Sequence, residues 1–266
     1  SATCVESFIR LRSRKTPDSI LGAARACNEQ GWFYLTLRLL EAPKGRSASA
    51  SLSFEWCWLA AQASAAIGDF KSARTWIERA PSHDMANARQ KSSFQMILAL
   101  SVSDWTEAER VALTLISGTD ESTLDITSIR TRILLGVALL HGKRDFAAAR
   151  EHFEKARAAI DSAGDSATLD QEQLPGLSRQ IEFFSGQSYF IEGNFKQAGQ
   201  IWGAALGRLQ RLRNPESDTN LFIHQLELLI ALAEIHDGKS SHEKYERAFA
   251  EASRLSHHPS EQFELY

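Results

Sequence analysis

Apolar residues along this chain return every three or four positions, as in Leu134, Leu135, Ala138 and Leu139, and again in Leu226, Leu229, Ile230 and Ala233. That spacing lays one apolar stripe along a helix. β-Branched residues never alternate long enough to make a strand, and only 6 prolines and 15 glycines interrupt the pattern. The reading is all-α.

One unit of that pattern recurs. In "QSYFIEGNFKQAGQIWGAAL", Gly193 is preceded by Gly186 and Tyr189 and followed by Ala198, Trp202 and Ala205. The same offsets from Gly68, in "AAIGDFKSARTWIERA", give Ala61, Ser64, Ala73, Ile77 and Ala80. Packing explains the choice of residues. Small side chains at facing positions let two antiparallel helices approach, and a large one fills the space between them. Glycine supplies a positive φ at the end of the first helix, and Asp or Asn caps the second. Weaker copies occupy "RDFAAAREHFEKA" (Phe146, Ala149, Phe153, Ala156, with Gly136 upstream and a hinge stretched by about one residue near Gly142), "SDWTEAERVALTL", "HEKYERAFAEASRL" and "ARACNEQGWFYLTLRLL". The equivalent positions Thr36, Ala73, Ala108, Ala149, Ala198 and Ala248 are 37, 35, 41, 49 and 50 residues apart. The longer intervals place extra residues in segments such as 161–173 and 213–220.

This small/large/small signature resembles the tetratricopeptide repeat (TPR), a helical hairpin of about 34 residues. The resemblance implies an α-solenoid of about six TPR-like hairpins forming a right-handed superhelix. One hairpin cannot bury its own apolar face, so neighbours must stack to build a core. The expected layout is a single domain over residues 1–266, with a leading helix within 1–15, repeats over 16–256 and a trailing helix within 257–266. Another α-solenoid of helix pairs is the alternative.

Composition narrows the setting. A chain of 266 residues with 43% hydrophobic and 24% charged residues is ordinary for a globular protein, and its formal charge of −3 favours neither nucleic acid nor membrane. Cys4, Cys27 and Cys57 are odd in number and widely spaced, which reads as reduced thiols rather than a disulfide framework or zinc site. No signal peptide or membrane span is evident, so a cytoplasmic location is expected. The chain begins with Ser1 rather than Met, as a piece of a longer protein would.

Motifs of chemistry are sparse. No phosphate loop, nucleophile elbow or H-E-x-x-H occurs. His83–Asp84 and His236–Asp237 lie at helix ends, where turn residues explain them. His224, His236, His242, His257 and His258 never fall at the i,i+4 spacing of a helical metal pair. No catalytic residue, metal site or cofactor is expected. Arg10, Arg12, Arg14 and Lys15 form a basic patch able to meet phosphate or an acidic partner, although a solvated helix face explains it more simply. Trp76, Trp105 and Trp202 read as core.

The resemblance also implies a binding face. First helices of TPR hairpins line a groove, with ligand-facing positions roughly ten, six and three residues before the hinge. On the two clear repeats these are Trp58, Gln62 and Ala65, then Phe183, Gln187 and Phe190; a third repeat adds Arg130, Ile133 and Val137. Aromatic anchors beside glutamine amides would suit an extended peptide or helix, although packing on adjacent hairpins would also explain Trp58 and Phe183. The expected function is a protein–protein interaction scaffold or adaptor binding a partner protein or peptide. The alternative is a ligand- or peptide-sensing domain of a larger regulator.

Overall fold

The computed structural model describes residues 17–41, 53–82, 84–118, 125–163, 173–211, 217–239 and 241–255. The leading segment with Arg10, Arg12, Arg14 and Lys15, the trailing segment with His257 and His258, and Cys4 and His83 lie outside the described residues. The chain is all-α. Its described helices pair into six hairpins, each packed against the next helix in chain order within its unit. Contacts divide the chain into two compact units, Ser1–Gly118 and Thr119–Tyr266, where the repeat pattern suggests one domain.

Unit 1 holds three hairpins: α1 (Pro17–Glu29) with α2 (Phe33–Leu40), α3 (Phe54–Ala66) with α4 (Phe70–Arg79), and α5 (Met85–Ser101) with α6 (Trp105–Ser117). Unit 2 holds α7 (Ile126–Ala138) with α8 (Phe146–Ala163), α9 (Leu174–Glu192) with α10 (Phe195–Leu209), and α11 (Ser217–His236) with α12 (His242–Leu255). A π turn, Leu139–Lys143, extends α7.

Every hairpin turns on one residue of left-handed backbone: Gly31, Gly68, Ser103, Arg144, Gly193 and Gly238, with φ between 54° and 90°. At the two clear hinges the following N–H reaches back to close the first helix, Asp69 to the Ser64 carbonyl at 2.9 Å and Asn194 to that of Tyr189 at 2.8 Å. Their carboxylate and amide oxygens then cap the second helices, accepting from Ser72 N at 3.0 Å and Gln197 N at 3.3 Å. Asp104 and Asp145 do the same with Glu107 N and Ala148 N. The stretched hinge of the fourth hairpin has a physical form. The π turn absorbs one extra residue, the hinge moves from Gly142 to Arg144, and Asp145 N bonds Leu139 O one residue further back than its counterparts do.

Small-against-large packing fills the second to fifth hairpins. A Cβ on Gly186 would overlap the indole of Trp202, and one on Gly136 the ring of Phe153; Trp202 and Phe153 are almost wholly buried. The second hairpin uses Ala61 with Ile77. The third inverts the arrangement, with bulky Met96 on the first helix and Ala112 opposite, both buried. Polar ties join the second helices of unit 2 to α9. The buried carboxylate of Glu182 meets Arg157 of α8 at 3.6 Å and also Arg208 of α10. Arg150 of α8 pairs with Glu192 at 2.6 Å and lies 4.3 Å from the centre of the Tyr189 ring.

Candidate functional site in the second unit

Once the hinges are fixed by their left-handed residues, equivalent positions can be counted without ambiguity. Ten residues before the hinge stand Leu134, Phe183 and Leu228 in α7, α9 and α11, and all three line one open pocket of about 490 Å³. Three residues earlier on the last two helices stand Gln180 and Gln225, which also line it. Phe184 and Leu229, one position after the row of three, complete the wall. The pocket is thus a product of the repeat: one register position presented three times, with an amide beside it on two helices.

The aromatic wall is held from behind. Phe184 stacks on Phe153 of α8 at 6.2 Å between ring centres, and Phe183 meets Phe184 edge-on at 5.1 Å. The backbone carbonyl of Phe183 accepts from the Trp202 indole N–H at 3.1 Å, which ties the site to the core of its hairpin. Among the described residues no charged side chain lines the pocket. The described residues of the arrangement can bury apolar groups and offer amide donors and acceptors.

The expected groove residues divide. Phe183 lines the pocket. Phe190 is committed to packing against Phe195, Trp202 and His236 at 5.2–5.9 Å. The Gln187 side chain reaches His141, and its amide oxygen is buried without a well-formed hydrogen bond. Arg130 is exposed and donates to Gln173 at 3.0 Å. Ile133 is fully buried and Val137 nearly so, which removes both from any binding face; the hinge shift to Arg144 puts Leu134 at the groove register instead. In unit 1, Trp58 is half-buried, stacked on Phe54 at 5.8 Å and tilted against Phe94 of α5 at 5.1 Å. Gln62 accepts from Asn28 at 3.4 Å, and Ala65 packs on the core between α3, α4 and α5. The lining residues missed by counting were Leu134, Gln180, Phe184, Gln225, Leu228 and Leu229. Their signal was a large apolar residue at one distance before the hinges Arg144, Gly193 and Gly238, with Gln three residues earlier in the last two.

The other candidates resolve into packing. His236 stacks on Phe195 at 4.9 Å, Asp237 pairs with Lys239, and Asp84 caps α5 through Asn87 N at 2.7 Å. Among the described residues no three His, Cys, Asp or Glu side chains cluster as metal ligands would, and no helix is long and apolar enough to cross a membrane. Burial raises the pKa of the Cys27 and Cys57 thiols. A second groove, of about 460 Å³ in unit 1, runs beside Lys71, Arg74, Glu78, Leu98, Val102 and Asp104, with opposite charges mixed along it.

These features define an all-helical protein of stacked hairpins, the class of the α-solenoids. No family model matches the sequence, and no curated protein matches it. Among solved structures the chain resembles the crystal structure of BtubC (BKLC) from P. vanneervenii, with a TM-score of 0.56 at 16% sequence identity, covering 96% of this chain and 94% of that one. At that identity the likeness concerns the fold.

Proposed function

We propose that this chain is a divergent TPR-type interaction module without catalytic activity of its own, acting as a scaffold or adaptor. Its second unit holds an uncharged, apolar segment of a partner protein. The observation that carries the reading is the register of the pocket: Leu134, Phe183 and Leu228 occupy one repeat position, with Gln180 and Gln225 beside two of them. Left-handed hinges, Asp or Asn caps and small/large pairs support the TPR assignment. Rigid stacked helices lose little entropy on docking, and side-chain amides can satisfy the main-chain groups of an extended segment while its side chains enter the apolar row.

The test is retention of a partner by the immobilised chain, compared with Phe183→Ala and Gln180→Ala. Loss of an aromatic anchor should weaken capture by about tenfold or more. Because the described lining residues are uncharged, capture should change little with added salt. Equal retention by wild type and both variants would sink the reading. A second reading, a small-ligand sensor, draws on the pocket's size, which falls in the range of small-molecule sites. A compound that raises the melting temperature of the wild type but not of Phe183→Ala would favour it.

A further inference from the structure

The first hairpin departs twice from the rule that the second to fifth obey; the sixth, with Lys239 after Gly238, also lacks an Asp or Asn there but sets no aromatic ring at its turn. Directly after the hinge stand Asp69, Asp104, Asp145 and Asn194, each capping its second helix; after Gly31 stands Trp32, which makes no side-chain cap. Two residues later stand Lys71, Thr106, Ala147 and Lys196; here it is Tyr34. Both aromatics face solvent, Trp32 60% and Tyr34 72% exposed. A cap has been given up and two large rings exposed at one turn, against local stability and solubility alike. Such a violation marks a contact surface.

What fits this knob is stated by the rest of the chain. Indole and phenol rings need an apolar pocket with polar groups for N–H and O–H. Unit 2 supplies that in Phe183, Leu228, Gln180 and Gln225. Charge runs the same way. Residues 1–118 contain 14 Lys and Arg against 11 Asp and Glu, a net +3, and residues 119–266 contain 16 against 22, a net −6. We infer that the Trp32–Tyr34 knob docks into the second-unit pocket of another copy of this chain. This rests on the pocket being an interaction site, as proposed above, and names one occupant of it. Each copy offers one knob and one pocket, so the contact is head-to-tail and does not close at two unless a ring forms.

Sedimentation velocity over a concentration series at low salt tests it. Wild type should associate as concentration rises, and salt should weaken the association through the opposed charges. Trp32→Ser/Tyr34→Ser should remain monomeric, as should Phe183→Ala/Leu228→Ser. An equimolar mixture of the two variants should form one-to-one dimers and stop there, because only one intact knob and one intact pocket remain. Gln225→Arg is a second pocket variant should the first lose helicity. A wild type that stays monomeric throughout, or knob variants that associate as it does, would overturn the inference. If the wild type is monomeric while a foreign partner is still captured through Phe183, self-docking fails and the interaction-module reading stands. If the pocket variants associate like wild type and also keep their foreign partner, both fail.

Discussion

The two units use one repeat position in opposite ways. Ten residues before the hinge, unit 1 carries Leu21, Trp58 and Ser93, whereas unit 2 carries Leu134, Phe183 and Leu228. Trp58 is the largest of these, yet it is taken up by packing. Its neighbour in the next hairpin is small Ser93, and Phe94 one residue on receives the indole. Glu55, the counterpart of Gln180, is held by Arg25, whose Nε is 2.8 Å away. In unit 2 the next hairpins put bulky residues at both positions, Phe183 with Phe184 and Leu228 with Leu229, so no ring can lean across and a pocket stays open. A groove residue is therefore defined by its neighbour's size as much as by its own register.

The largest expected effect probes the packing that both units share. Gly186→Ala should destabilise unit 2 by about 2–3 kcal/mol, because the Trp202 indole fills that space and is fully buried. Trp202→Ala should cost about 3–5 kcal/mol. Gly186→Ala with Trp202→Ile copies the Ala61–Ile77 pair of unit 1 and should recover about 1–3 kcal/mol relative to the sum of the Gly186→Ala and Trp202→Ile changes. Urea unfolding of the four chains measures it; strict additivity would mean that the pairs are not equivalent. Next in size, Trp58→Ala should lower stability by about 2–3 kcal/mol while Phe183→Ala costs about 1 kcal/mol or less. The reverse order, in thermal melts, would undo the contrast between a packed and an open groove.

A smaller effect separates the units by pH. Burial holds His141 and His152 below the ordinary imidazole range, with Lys155 and Arg132 adding to the shift of His152 against Glu151, and the contact with Gln187 opposing that of His141. Both lie in unit 2. The unfolded chain takes up protons first, so this stability is complete above about pH 6.5 and is lost as pH falls toward the lowered folded values. Half-buried groups of this kind contribute about 1 kcal/mol or less each. The unfolding midpoint should drop between pH 7.5 and 5.5, and His152→Gln should flatten the drop. An unchanged slope in that variant would remove His152 from the account.

The hairpins were legible in the sequence because their cause is local: Gly68 and Gly193 for backbone sign, Asp69 and Asn194 as caps, Ala61 and Ile77 or Gly186 and Trp202 for close approach. The site was only half legible. Phe183 stands at the register counted for it, but Arg130 and Ile133 lie 14 and 11 residues before the Arg144 hinge, outside that register, because a π turn ends the helix at an arginine and no glycine marks the place from which to count. Phe190 and Trp58 misled because aromatic residues at a groove register serve equally as packing, and only Phe195, His236 and Phe94 decide which. The inverted Met96–Ala112 pair stayed hidden because small-before-large was taken as fixed, when the packing requires only that the two sizes complement.

The smallest effect concerns the two hinges without glycine, one in each unit. Ser103 at φ 58° and Arg144 at φ 54° hold side chains in left-handed backbone, which costs about 1 kcal/mol relative to glycine at the same place. Ser103→Gly should therefore raise the melting temperature by a few degrees, and Arg144→Gly should do the same. Glycine also widens the unfolded ensemble, which trims each gain to about half. The pair sharpens the comparison because their hinges differ: Ser103 ends a regular helix, whereas Arg144 follows a π turn already carrying an extra residue. Equal gains would mean that the π turn merely accommodates an insertion. A gain at Ser103 with a loss at Arg144 would mean that the arginine side chain helps to hold the π turn, and with it the register that brings Leu134 to the pocket.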